Sequence, residues 1–330
     1  MNVGLIGAGN ISDTHARAAV AAGLRIAGVY GENRDKTQQL AERHGAAACR
    51  TLDELLAGSS IEVVMIGSPS GCHADQAIAA VRARRHVLVE KPLDISTARI
   101  DTLIDEVSRA GVTLGVFFQD RLKPAIVEMK RRIDAGEIGV PLLATGEVKW
   151  HRPPEYYAKS RWRGTWALDG GGALMNQGIH TVDLLLHLLG RATRVSGSTA
   201  TRVHKIEAED TATAMLEFEN GAVATLDVTT AAFPGRPRRL LIAGSAGSLL
   251  LEGDHLTETA NQRDAVPENT ASAAVSDASA HQRVVEDFVD AVRRRRPPVC
   301  DVVEGRRSVE VVEGVYVAAR EKRAIDLRRG

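Results

Sequence analysis

Met1-Asn2-Val3-Gly4-Leu5-Ile6-Gly7-Ala8-Gly9-Asn10-Ile11-Ser12 opens the chain, and the reading of this stretch decides the fold. The apolar run Val3–Ile6 reads as a buried strand, the glycines break it, and the following residues, 12–22, are apolar at helical spacing. Strand, glycine turn and helix in that order begin a parallel sheet. The turn has the pattern G-x-G-x-x-G/A with Ser12 in the last place. Each small residue has a task there: Gly7 makes the tight turn, Gly9 lets a pyrophosphate approach the backbone, and the third residue lets helix pack on strand. The helix N-terminus then faces the phosphates. Gly7, Ala8, Gly9, Asn10 and Ile11 are therefore candidates for holding a dinucleotide.

Outward from this unit the same alternation continues. Val3–Ile6, Ile26–Tyr30, Val63–Ile66, Val87–Val89 and Val112–Phe117 read as strands, with helical patterns over 12–22, 34–44, 72–84 and 96–110 between them. Thr51-Leu52-Asp53-Glu54 is a capping box and starts a further short helix. The expected architecture is α/β, with a Rossmann-type doubly wound parallel sheet. After residue 121 the rhythm changes. A helix at 124–135 and a helix at about 177–189 accompany strand patterns at 142–150, 194–203, 211–218, 223–229, 239–243 and 248–251. Strands that follow one another without helices between them point to a large, mostly antiparallel open sheet in an α+β domain. The expected division is 1–121 and 122–330, with an Ala/Ser-rich surface loop at 265–280 and two closing helices, 281–294 and 303–321.

Composition narrows the function. The 330 residues are too many for one ordinary domain. Lys plus Arg is 42 and Asp plus Glu is 42, so the formal net charge is zero. That balance gives no electrostatic reason to expect nucleic acid or a membrane surface as partner. No run approaches a spanning helix, the N-terminus lacks a signal-peptide layout, and a cytoplasmic location is expected. The three scattered cysteines, Cys49, Cys72 and Cys300, form neither a disulfide framework nor a zinc motif. His180, Asp183 and His187 share a helix face, but not in the H-E-x-x-H pattern, so no metal site is expected.

The residue that binds the adenine ribose in this type of fold is a carboxylate at the end of the second strand. Gly31 stands there, followed by Glu32-Asn33-Arg34. Gly31 can neither bond a ribose hydroxyl nor repel a 2′-phosphate, and Arg34 can pair with one, which inclines the reading to NADP. Glu32, turned inward, would instead favour NAD.

Three further segments carry a resemblance. The first is Ser68-Pro69-Ser70 with His73, ending in His86-Val87-Leu88-Val89-Glu90-Lys91-Pro92. The second is Phe118-Gln119-Asp120-Arg121. The third is Gly170-Gly171-Gly172-Ala173-Leu174-Met175-Asn176-Gln177-Gly178-Ile179-His180 with Asp183. Together with Gly136-Glu137-Ile138-Gly139, Glu209-Asp210 and Gly244-Ser245-Ala246-Gly247-Ser248, they resemble the glucose–fructose oxidoreductase / inositol dehydrogenase / MocA-like family over nearly the whole chain. The resemblance implies an NAD(P)-dependent dehydrogenase or reductase acting on CH–OH groups of a sugar, sugar nucleotide or cyclic polyol. It also implies a homo-oligomer, dimer or tetramer, assembled through the C-terminal sheet. Two alternatives share the fold: an NADP-sensing regulator without turnover, and an enzyme that uses a tightly held cofactor to cleave glycosides.

Lys91 lies at the carboxyl end of an expected parallel strand, where open α/β sheets bind ligands. His180 offers an imidazole, the side chain type that titrates near neutrality, and alcohol oxidation must shed a proton. With the motifs around them, these two are the candidate catalytic pair. Asn176 departs from the inositol dehydrogenase branch, which has aspartate there. An amide can orient a hydroxyl but cannot take its proton, and this place resembles the sugar-nucleotide 3-dehydrogenase branch. The resemblance places Ser68, Pro69, His73, Glu90, Lys91 and Gln119 at the cofactor with Glu32, Asn33 and Arg34. All three tryptophans and two of the four tyrosines fall within Trp150–Trp166. From this segment Arg152 and Tyr156, with Gln177 and Asn176, are candidate substrate residues, and Trp162 with Arg163 candidate cofactor contacts.

Overall fold

A computed structural model describes residues 1–258 and 278–327. It comprises two compact units, whose described parts are 1–119 with 278–306 and 120–258 with 307–327. A helix late in the sequence therefore belongs to the N-terminal unit, which a single division after residue 121 leaves out. The physical reason lies on strand Leu114–Val116. The Phe288 ring packs so close under Gly115 that a Cβ there would stand 2.9 Å from it, and the amide of Val116 donates to the Cys300 carbonyl at 3.0 Å.

In the first unit, strands β1 (Asn2–Ile6), β2 (Arg25–Tyr30), β3 (Ala47–Ala48), β4 (Val63–Ile66), β5 (His86–Val89) and β6 (Leu114–Val116) form one sheet in the order β3-β2-β1-β4-β5-β6. Every pairing is parallel. Strands covered on both faces read as continuous apolar runs, and all four residues of β4 are buried. Helices α1 (Asn10–Ala21), α2 (Arg34–Arg43), α3 (Leu52–Ala57), α4 (His73–Arg82) and α5 (Thr97–Ala110) make the crossovers. The strand order reverses between β1 and β4, which places a crevice at the carboxyl ends of those two strands. The Thr51 hydroxyl caps α3 by accepting from the Glu54 amide, while the Glu54 carboxylate accepts from the Arg50 amide.

The second unit begins with α6 (Pro124–Asp134). Its sheet contains β7 (Pro141–Lys149), β8 (Ala192–Ala200), β9 (Thr211–Phe218), β10 (Val223–Thr229), β11 (Arg239–Gly244), β12 (Ser248–Glu252), β13 (His255–Glu258) and β14 (Ile325–Asp326). The order is β13-β12-β11-β7-β10-β9-β8-β14, antiparallel except where β7 meets β10. One face packs on α8 (Ile179–Leu189). A Cβ at Gly146 of β7 would stand 2.6 Å from Thr181 of that helix, so a glycine there lets helix and sheet close up. The other face leaves Leu143 at 61% and Met215 at 41% exposure. Strands β3, β13 and β14 and the short helix α7 (Pro154–Ala158) are too brief to show a period in the sequence. The helix expected from residue 177 is preceded by a π-helical turn, 173–178. The surface loop expected at 265–280 lies outside the described residues as far as 277. Helices α9 (Ser279–Arg294) and α10 (Val302–Glu321) close the chain, and no described helix is long and apolar enough to cross a membrane.

Candidate functional site

The first unit fits a dinucleotide at its glycine turn. Gly7 adopts φ +102°, and a Cβ there would stand 2.6 Å from the Gly67 carbonyl oxygen of the neighbouring turn. Both facts demand glycine. A Cβ at Gly67 would in turn meet the Ser12 hydroxyl at 3.0 Å, and Ser12 is buried. Thus the small third residue lets α1 lie on the end of β4. Gly9 differs: nothing lies within 4 Å of where its Cβ would be, and it opens α1 without a side-chain cap. The fold does not itself require glycine there, and Asn10 and Ile11 begin the helix whose N-terminus suits a phosphate.

At the end of β2, Gly31 is buried because a Cβ would stand 2.9 Å from the Thr37 hydroxyl and 3.1 Å from the Ala8 Cβ. The missing carboxylate is thus a packing requirement. Asn33 caps α2, its side-chain oxygen accepting from the Lys36 amide at 3.0 Å. Glu32 and Arg34 are exposed. The Glu32 charge reaches Cys72, whose thiol is pushed up first by burial and then by that carboxylate.

Around the carboxyl ends of β4, β5 and β6 the candidate residues are tied together. His73 is buried, its Nδ1 2.7 Å from the Pro92 carbonyl and its Nε2 2.9 Å from the Ser68 carbonyl. It joins two loops, and Pro69 follows in one of them. The Ser68 hydroxyl donates to Gln76 at 2.6 Å. The Gln119 side-chain oxygen is buried with no hydrogen-bond partner among the described residues. An orphaned acceptor of that kind fits a carboxamide donor.

Beneath Lys91 lies an arrangement absent from the sequence expectations. Glu90 Oε2 accepts from the Lys91 amide at 2.9 Å. Its Oε1 is 2.9 Å from His15 Nε2 and 3.8 Å from His281 Nε2. His15 stacks on Phe117, with centroids 4.2 Å apart and planes 6° from parallel. Burial lowers the His15 pKa against the opposing pull of Glu90. Burial also works against the Glu90 charge, but the two imidazoles hold it well below the usual carboxylate range. These ligand-type atoms lie within 4.8 Å of one another; what they do in this structure is fix the residue before Lys91. Only the sequence neighbour of Lys91 was legible beforehand, because His15 and His281 arrive from α1 and α9.

In the second unit the turn 173–178 carries Asn176 and Gln177 and leads directly into His180 on α8. Asn176 Nδ2 donates to Asp169 Oδ1 at 2.7 Å, and Asp169 Oδ2 accepts from the Gly164 amide at 2.8 Å. A carboxylate accepts only, so this contact sets the orientation of the Asn176 amide. Gln177 Nε2 donates to the Tyr156 hydroxyl at 3.0 Å.

Tyr156 is the middle rung of a stack. The Arg163 guanidinium lies 4.3 Å from its ring centroid and 5.3 Å from that of Trp162. The Arg152 guanidinium lies 5.3 Å from Tyr156 and 5.1 Å from Trp150. Aromatic faces attract both cations, yet neither guanidinium has an ion-pair partner among the described residues. The expected division of Arg152 to substrate and Arg163 to cofactor therefore falls within one ladder of side chains.

His180 Nδ1 stands 3.9 Å from Asp120 Oδ2, and the same oxygen accepts from Arg238 at 2.5 Å. Burial opposes the Asp120 charge, but Arg238, His180 and Lys123 hold its carboxyl far below the ordinary range. A permanent anion therefore faces the imidazole. Asp183, one turn along α8, is spent on a buried bidentate pair with Arg121 at 2.7 and 2.9 Å, with the Ser308 hydroxyl also donating. The Asp120 partnership was missed in the sequence although Asp120 falls inside a quoted motif, because Arg238 and His180 reach it only through the fold.

Residues 1–118 match a family model described as an oxidoreductase family with an NAD-binding Rossmann fold, and residues 126–250 match the GFO/IDH/MocA C-terminal domain. The crystallised WlbA dehydrogenase of Bordetella pertussis, in complex with NADH and UDP-GlcNAcA, superposes with a TM-score of 0.89 and 32% identity, covering 100% of this chain and 99% of that one. The UDP-N-acetylglucosamine 3-dehydrogenase of Acidithiobacillus ferrooxidans is 29% identical, over 96% of this chain and 97% of its own. The myo-inositol 2-dehydrogenase of Thermotoga maritima is 25% identical, over 99% and 98%.

Proposed function

The chain belongs to the GFO/IDH/MocA family of NAD-binding oxidoreductases, and from that premise we propose that it oxidises or reduces a carbinol carbon of a sugar nucleotide. A nicotinamide dinucleotide, when bound, supplies the redox chemistry by exchanging hydride with that carbon. The residues that would hold it are Gly7–Ile11 at the pyrophosphate, Glu32 and Arg34 at the ribose end, and Ser68, Pro69, Gln119, Trp162 and Arg163. His73, Asn33 and Glu90 contribute by fixing the loops. Lys91 hydrogen-bonds the reacting oxygen and stabilises its charge, His180 takes or returns the hydroxyl proton, and Asn176 orients the hydroxyl. Asp120 favours the imidazolium that forms on His180, as a fixed negative charge does.

The observation that carries the substrate class is the Trp150–Arg152–Tyr156–Arg163–Trp162 ladder. Segment 150–163 holds Arg152, Lys159, Arg161 and Arg163 against Glu155 alone, in a chain of zero net charge. The Arg152 guanidinium fork, without a carboxylate partner among the described residues, suits a phosphate-bearing substrate, to which it can bond bidentately, better than a neutral polyol. The UDP-N-acetylglucosamine 3-dehydrogenase of Acidithiobacillus ferrooxidans and the WlbA dehydrogenase crystallised with UDP-GlcNAcA, both similar to this chain, support the same class. The test compares reduction of dinucleotide by UDP-N-acetylglucosamine, UDP-GlcNAcA and myo-inositol. A nucleotide sugar is expected to lead, and Arg152→Gln is expected to raise its KM by about tenfold, the worth of a charged hydrogen bond, without changing turnover of neutral sugar. Equal or better use of myo-inositol, unaffected by Arg152→Gln, would reject the assignment. A protein that binds dinucleotide and turns over none of the three would likewise reject the assignment.

For the cofactor we propose NADP over NAD, supported by the exposed Arg34 and the packing-enforced Gly31. Arg34→Ala should raise the KM for NADP by about fivefold, the value of an exposed charge pair, and leave that for NAD unchanged. Steady-state kinetics with both cofactors decides it, and a wild type that prefers NAD overturns the choice. We also propose self-association through the second unit's sheet, supported by exposed Leu143 and Met215; sedimentation measures it.

A further inference from the structure

Gly170-Gly171-Gly172 has the look of a phosphate loop, but the structure gives the glycines another reason. A Cβ at Gly172 would collide with the Glu209 carbonyl oxygen, and one at Gly171, where φ is +158°, with the Tyr316 hydroxyl. Glu209 is 3% exposed. Its Oε2 accepts from the Gly172 amide at 3.0 Å, and its Oε1 from the Leu174 amide at 2.7 Å and the Tyr316 hydroxyl at 3.0 Å. Its backbone carbonyl takes the Ala173 amide at 2.8 Å. Three consecutive amides at the mouth of turn 173–178 are thus held by one residue. We propose that Glu209, seconded by Tyr316, is a positioning residue whose ionised carboxylate holds turn 173–178 and thereby places Asn176 and His180 for catalysis. The assignment rests on the dehydrogenase reading above.

The chemistry of the donors supports it. Every side-chain contact to the Glu209 carboxyl comes from a donor, so the ionised form is fully accommodated, while a proton on either oxygen would face one of those donors. Burial pushes the carboxyl up and the Leu174, Tyr316 and Gly172 donors pull it back, leaving its pKa at about 7. The groups around it are Tyr316 from α10, Tyr157 from α7, and Asp169, which bears on both tyrosines. Burial and the Glu209 charge drive the Tyr316 phenol well above its usual range, so it stays a donor. The folded-state pKa of Glu209 exceeds its unfolded value. Its contribution to stability is therefore greatest at acid pH and is lost as pH rises through about 7. Ordering of the turn by the carboxylate runs the opposite way, increasing with pH. A merely structural Glu209 would make activity follow stability; a positioning Glu209 separates the two.

Glu209→Gln keeps the volume but offers one acceptor oxygen to two amides. In the full-length protein, with UDP-N-acetylglucosamine as substrate and saturating oxidised dinucleotide, it is expected to lower kcat by about tenfold, the size of one lost charged hydrogen bond, with dinucleotide affinity unchanged. The ascending limb of the pH profile belonging to Glu209 should vanish. Tyr316→Phe removes a donor that favours the charged form, so that limb should move to higher pH; this variant serves if Glu209→Gln does not fold. Wild-type kcat and pH dependence in Glu209→Gln, or an unmoved limb in Tyr316→Phe, would overturn the proposal. Hydrogen exchange of segment 170–178, corrected for intrinsic rates, is read without substrate. Protection should rise with pH through neutrality in wild type and stay flat in Glu209→Gln, and equal protection in both overturns it. A wild type that oxidises no substrate yet shows this difference refutes the dehydrogenase reading and not the latch.

Discussion

His180→Ala is expected to lower kcat by about 10²–10⁴, the range that a positioned proton-transfer group supplies, while NADH affinity stays near wild type. The reasoning starts from the surroundings of the ring. His180 Nδ1 faces Asp120 at 3.9 Å, and Asp120 is kept ionised by Arg238 and Lys123, so alanine removes the imidazole that this fixed anion would support as an imidazolium in the proposed mechanism. The candidate dinucleotide residues Gly7–Ile11 lie in the other unit. Lys91→Met, similar in length but without a proton or charge, should cost at least as much. If both residues serve one hydroxyl, the double variant should lose less than the product of the single losses. Melting temperature, measured beside kcat, separates a catalytic histidine from a packing one. A folded His180→Ala enzyme within a few-fold of wild-type turnover would remove His180 from the mechanism.

The second large effect distinguishes two glycines that look alike in sequence. Gly9→Val should fold as wild type does, since nothing lies within 4 Å of the Cβ position. Its branched side chain should fill the space over the N-terminus of α1 and abolish dinucleotide binding, a loss of about 100-fold or more if the pyrophosphate must reach the backbone there. Gly7→Ala should do the reverse. At φ +102°, with a Cβ 2.6 Å from the Gly67 oxygen, it should destabilise the unit by about 1–3 kcal/mol from backbone strain alone. Calorimetric titration with NADH and thermal melts of both variants measure the contrast. A stable Gly9→Val protein with unchanged affinity would place the cofactor elsewhere.

The layout of both units was readable from the chain because its causes are local. Continuous apolar runs such as Val63–Ile66 mark strands buried on both faces, and alternation in Thr211–Phe218 marks a strand with one face exposed. The glycine turn after β1 declares itself through conformations that other residues rarely adopt. The candidate residues Lys91, Asn176 and His180 were equally visible, since each is set in a distinctive run of neighbours. What the sequence could not show is what each of them leans on. Glu90 depends on His15, 75 residues earlier, and Asp120 on Arg238, 118 residues later. Gly171 and Gly172 leave room for the Tyr316 hydroxyl and the Glu209 carbonyl, and their run in the sequence gives no hint of that partnership. Nor does the linear order reveal that α9 returns to the first unit to cover β6. Period and turn chemistry act over a few residues and leave a trace in sequence. Pairing of charges, donors and acceptors acts through space, and only the folded chain brings those partners to a few ångströms of one another.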